Sequence, residues 1–187
     1  VGTTLAYALM GWAALWLAIP PGYASPLYPA TGVALACVLT YGNRVLPGIA
    51  VGAFLVNITL GPERYLSPTA FVVLPACIAL GATLQAWLAS VLIRRHVHQP
   101  LTLSEPRDVA VFFGIGAIVT ALTSSSIATL ALWLLGGQGG PSLLLTWWSW
   151  ATGDALGMLT ATPILLSWIG HPRSEWDSRR WTVGATM

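Results

Sequence analysis

Lysine is absent from this 187-residue sequence, and arginine supplies all eight basic side chains. Only 7% of the residues are charged against 56% that are hydrophobic, with a mean hydropathy of +0.73 that ordinary soluble domains do not reach. So sparse a charge excludes a soluble globular domain. It also leaves no basic patch for nucleic acid. Cysteine is scarce as well: Cys37 and Cys77 each fall inside an apolar run, which suits a small buried hydrophobe better than a disulfide or a metal ligand. There is no H-E-x-x-H, no Gly-rich phosphate loop, no nucleophile paired with a base and no metal-ligand spacing. The sequence therefore offers no catalytic residue, no cofactor and no metal. The first apolar run has neither a basic flank nor a cleavage site and more runs follow it, so it reads as a membrane helix and not as a removed signal. The chain begins at Val1, as a fragment of a longer polypeptide would.

What the chain does have is apolar length. The expected fold is an all-α membrane protein, a polytopic bundle of about six transmembrane helices. Span one covers Thr3 to Ile19 and is closed by Pro20 and Pro21. Span two begins at Pro29, where a missing N–H is harmless in the first turn, and ends near Tyr41, before Gly42-Asn43-Arg44. Span three runs from Pro47 to Leu60, with Gly48 and Gly52 at the G-x-x-x-G spacing of close helix contacts. Span four covers Thr69 to Ile93 and holds Pro75 and Gln85. Span five runs from Asp108 to Leu135 with a small-residue stripe at Ala117, Ala121 and Ser125. Pro141 opens span six, and residues 171–187 form a polar cytoplasmic or juxtamembrane segment after a membrane domain of residues 1–170.

Spans two and three are short and broken. About 13 residues at 1.5 Å each cover roughly 20 Å of a hydrocarbon core near 30 Å. Either Ser25 to Tyr28 dips into the membrane as irregular backbone, or span two extends back through Pro26 as a kinked helix. Irregular backbone at that depth needs protein or a water-filled cavity around it, which makes it a pointer to a binding site. Arginine placement orients the whole. Arg44, Arg94, Arg95, Arg107, Arg173, Arg179 and Arg180 fall on one side and only Arg64 on the other, so both termini are expected in the cytoplasm.

Asp154 is the strongest single signal. It sits near the middle of the apolar run from Leu143 to Ile169, where an acid costs about 2.5–3.5 kcal/mol and calls for protein partners. Trp150 and Trp147 lie one and two turns before it on nearly the same face, with Gly157, Met158 and Ala161 beyond it. That wall is aromatic, then acidic, then small. Asp154 could be a counter-charge to a ligand or a packing acceptor. Trp147 and Trp150 could stack on a ligand or belong, with Trp148, to an interfacial belt. Asn57 and Gln85 are deep amides that either glue helices or join Asp154 in a polar centre. Thr31 caps a helix or touches a ligand, and the loop that carries Tyr28 shares the outer half of the membrane with the tryptophans. The candidate ligand-binding set is Asp154, Trp150, Trp147, Tyr28, Thr31, Asn57 and Gln85.

Four motifs in order, Pro26-Leu27-Tyr28-Pro29-Ala30-Thr31-Gly32, Pro47 to Asn57, Gly81-Ala82-Thr83-Leu84-Gln85-Ala86, and Trp150 to Pro163 with Gly153-Asp154-Ala155-Leu156-Gly157, resemble the MASE1 family of bacterial membrane-associated sensor domains. The resemblance covers nearly the whole chain. It implies an inner-membrane sensory module attached to a cytoplasmic output domain of the same polypeptide, a histidine kinase or diguanylate cyclase, and not itself an enzyme. The family typically has eight spans, two more than expected here. Ala82 and Gln85 stand where the resemblance leads one to expect Asn and Glu, which removes one acid from a two-carboxylate site. The expected function is detection of a small ligand, or of a membrane or periplasmic signal, in an outward-facing cavity. A small-molecule permease or the substrate-binding subunit of a transporter is the alternative, and a dimerising scaffold built on the small-residue stripes is a third reading. The partners expected are the lipid bilayer, the output domain, a small-molecule ligand and a second copy of the chain.

Overall fold

The computed structural model describes residues 1–16, 25–60, 67–97, 105–135 and 142–169. The end of span one, the turn at Gly136 to Gly140, the segment 171–187, and Arg64, Arg173, Arg179 and Arg180 lie outside the described residues. Helix α1 is Gly2–Leu15, α2 Pro29–Tyr41 and α3 Leu46–Ile58, the last two joined by a 3-10 turn, Gly42–Val45. Helix α4 is Pro68–His96. Helix α5, Pro106–Val111, passes through a π-helical segment, Phe112–Val119, into α6, Thr120–Leu135, and α7 is Leu143–Ile169. Among the described residues the fold is all-helical.

Six separate helices were expected, whereas the described residues form five continuous helical runs. Helices α2 and α3 merge because the residues between them are themselves helical, giving one run of 30 residues, Pro29–Ile58. Three runs, this one, Pro68–His96 and Pro106–Leu135, are long and apolar enough to cross a membrane. The Pro29–Ile58 run is not a straight rod. Gly42, with φ of 75°, adopts a backbone conformation open to glycine and costly for other residues, and the chain reverses there. Helix α1 records the reversal. Thr4 lies against Gly48, Tyr7 against Gly52 and Gly11 against Val56, so α1 and α3 run parallel. Tyr28 at the start of α2 packs near Tyr7 and Gly11, whereas Tyr41 at its end lies near Gly2 and Thr3, so α2 runs antiparallel to α1.

Proline and serine place several helix starts. Pro29 and Pro106 each occupy a first turn, and Ser67 caps α4 by accepting a hydrogen bond from the Ala70 N–H at 3.1 Å. At the other end of α2, the Arg94 guanidinium of α4 donates to the carbonyls of Val38 at 2.8 Å and Leu39 at 3.2 Å. A cation there meets the negative end of the helix dipole. The small residues are spent inside the fold. Gly48 and Gly52 admit α1, and Ala117, Ala121 and Ser125 are all buried.

Candidate functional site

Helix α7 carries a groove at Gly153 and Gly157 just wide enough for a strand of backbone. Residues 25–28 are non-helical and lie in it, so the segment before α2 enters as irregular backbone and the kinked-helix alternative is not taken. A side chain at Gly153 would collide with the Ser25 carbonyl, and one at Gly157 with the Tyr28 carbonyl. The Tyr28 N–H donates to the Gly153 carbonyl at 3.1 Å. The Thr31 hydroxyl donates to the carbonyls of Tyr28 at 2.8 Å and Asp154 at 3.1 Å, and further along α7 the Thr162 hydroxyl donates to the Gly32 carbonyl at 3.1 Å. These bonds satisfy backbone that lipid could not.

The same groove brings the Asp154 side chain, 2% exposed, into the centre of the bundle. Ser124 of α6 and Gln85 of α4 lie beside its carboxylate. Among the described residues its Oδ2 has no protein donor, and neither has Oε1 of the fully buried Gln85. Beside the carboxylate is a cavity of about 30 Å³. Its lining includes Tyr7, Ser25, Tyr28, Thr31, Asn57, Ser124, Trp150 and Asp154. Tyr7 and Tyr28 meet edge to face, ring centroids 6.3 Å apart. The void admits one or two waters and is about a tenth of the smallest ordinary metabolite pocket.

Family-level identity now has its structural frame. The MASE1 family model matches residues 1–185. The chain belongs to the MASE1 family. It is a membrane-associated sensor domain, and its apolar helices fit a place in the membrane. No curated protein and no solved structure matches the chain.

Five of the seven residues singled out from the MASE1 sequence, Asp154, Trp150, Tyr28, Thr31 and Asn57, line the cavity. Gln85 reaches Asp154 from α4, at the position where the resemblance leads one to expect a Glu. Trp147 does not line the cavity. Its indole N–H donates to the Ser126 hydroxyl at 3.0 Å and its ring packs edge to face on Trp148, so it pins α7 to α6. Asn57 donates to the Ala53 carbonyl of its own helix at 2.8 Å. Tyr7 and Ser124 were missed. Tyr7 is the one tyrosine in α1, and Ser124 lies in the hydroxyl run Thr123 to Ser126; each was a legible, unspecific signal.

Below Asp154, Met158 is fully buried and its thioether accepts from the Gln85 amide at 3.9 Å and the Thr120 hydroxyl at 3.8 Å. It packs with Leu35, Ala89, Ile93 and Phe112, the cluster that leads to the arginine-bearing ends of α2 and α4. Thr120 ends the π-helical segment and donates to the Gly116 carbonyl at 2.7 Å. π-Helical turns concentrate at functional sites, and this one lies in the helix that supplies Ser124.

Proposed function

We propose that the domain is the input module of a bacterial inner-membrane signalling protein, crossing the membrane six times through the described helices with both termini in the cytoplasm. It detects a small ligand or a periplasmic signal at the Asp154 cavity and passes the result to a kinase or cyclase domain of the same polypeptide. The observation that carries the reading is the seating of Ser25 to Tyr28 on α7 around a buried carboxylate. Irregular backbone held by hydrogen bonds to one helix can leave as a unit, so the groove has two packings that differ by few bonds. The described arginines, Arg44, Arg94, Arg95 and Arg107, occupy the end of the bundle away from the cavity, which supports an outward-facing site. A change at Asp154 reaches that end through Gln85, Met158 and the core beneath them. The scaffold reading loses its support, because the small-residue stripes are covered by the chain's own helices.

Asp154→Asn keeps the shape of the side chain and removes its charge. In the polypeptide that carries the output domain, this variant should insert at wild-type levels and lock output at one extreme, measured as kinase autophosphorylation or cyclic-dinucleotide production. Output that still tracks every stimulus applied to the wild type would reject a switching role.

A further inference from the structure

The cavity beside Asp154 has a charge and a set of loose ends that specify what it takes. Among the described residues two buried atoms are acceptors without a donor, Asp154 Oδ2 at the cavity and Gln85 Oε1 outside its lining. Buried polar atoms are nearly always satisfied, and a buried charge is compensated. No arginine or histidine among the described residues lines the cavity. The described cations, Arg44, Arg94, Arg95, His96 and Arg107, all sit at helix ends on the far side of the bundle. Among the described residues, then, no cation compensates the carboxylate.

We propose that the cavity binds a monovalent cation of about the size of sodium, with Asp154 as its anionic ligand. The inference rests on the sensing reading above and gives the class of ligand. Charge sets the valence. One carboxylate and one monovalent ion leave the buried site neutral, whereas a divalent ion would leave it positive. The described residues hold no group of three or more His, Cys, Asp or Glu that would suit a divalent or transition metal. Size sets the ion. A void of about 30 Å³ takes a bare ion or an ion with one water, and excludes organic cations such as choline. The remaining coordination is oxygen from the lining, where Ser124, Thr31, Asn57, Tyr28 and Ser25 offer hydroxyl or amide groups. Hard cations prefer such ligands.

The test uses the purified protein in detergent, in buffer whose only added cation is choline. Sodium chloride is then titrated at constant ionic strength against choline chloride, with the thermal unfolding midpoint as readout. Sodium should raise the midpoint by several degrees and saturate, and choline should not. Asp154→Asn should unfold cooperatively with no sodium-dependent shift, and Ser124→Ala should weaken the apparent sodium affinity about tenfold. Equal shifts with sodium and choline, or a sodium shift that survives Asp154→Asn, would overturn the proposal. So would an Asp154-dependent response to pH in the absence of any response to sodium, which would assign the site to a proton. If Asp154→Asn alters output and sodium has no effect on the midpoint, the cation fails and the sensing role stands.

Discussion

A Gly157→Ala variant is expected to lose the docking of Ser25 to Tyr28 on α7 and to melt well below the wild type, by about 3 kcal/mol or more. The added methyl would collide with the Tyr28 carbonyl and would also lie 2.7 Å from the Thr31 hydroxyl oxygen. Backbone is the obstacle, so no rotamer change relieves it. The segment must lift, and with it go the Tyr28 to Gly153 hydrogen bond and the Thr31 bond to Asp154, each worth about 1 kcal/mol. Gly114→Ala is the control. A methyl there meets open space, and alanine is the better helix former by roughly 0.5–1 kcal/mol, so its midpoint should hold or rise. Equal melting of the two variants would mean that the groove does not hold the segment. The same variant separates docking from insertion, because glycine to alanine does not lower hydropathy and leaves arginine placement untouched.

The glycine pair was legible in outline. The sequence placed Gly157 on the Asp154 face and made that wall small below the acid, and the shortness of spans two and three called for non-helical backbone near Ser25 to Tyr28. Which backbone met which glycine was out of reach, since α2 and α7 are far apart in sequence and nothing in their composition pairs them. Helix counting failed at Gly42 for a related reason. Glycine followed by asparagine and arginine signals a turn, but the turn that forms is itself helical, so six expected helices became five runs. The π-helical segment Phe112–Val119 had no forewarning in an all-apolar stretch with two glycines.

Facing was the harder problem. Hydrophobic periodicity reads the buried side of a soluble helix because the other side is polar. In α1 and α3 nearly all of both sides is apolar, so the pattern carries little direction. Polar residues had to do the work instead. Asp154 and Gln85 reported correctly, because lipid tolerates neither; Tyr7 and Ser124 are cheap enough in lipid to escape notice. Trp147 misled for the opposite reason. It shares the Asp154 face by helical spacing, but it sits near the start of α7, beyond the cavity, where Ser126 takes its N–H.

Met158→Ala is expected to cost about 2 kcal/mol, and Met158→Leu less than about 1.5 kcal/mol, in equilibrium unfolding from mixed micelles. The alanine figure sits at the low end of the range for soluble cores because lipid is as apolar as the methionine pocket. The transfer contribution largely vanishes, and what is lost is packing. That packing is substantial here. Met158 is fully buried against Leu35, Ala89, Ile93 and Phe112, side chains from α2, α4 and the π-helical segment. It is also the acceptor for Gln85 and Thr120, so truncation frees the amide beside Asp154. A double-mutant cycle with Gln85→Leu should therefore depart from additivity by more than about 0.5 kcal/mol, the excess expected of side chains in contact. Additive losses would show that the polar centre and the core beneath it are energetically separate, and a signal at Asp154 would then need another way down.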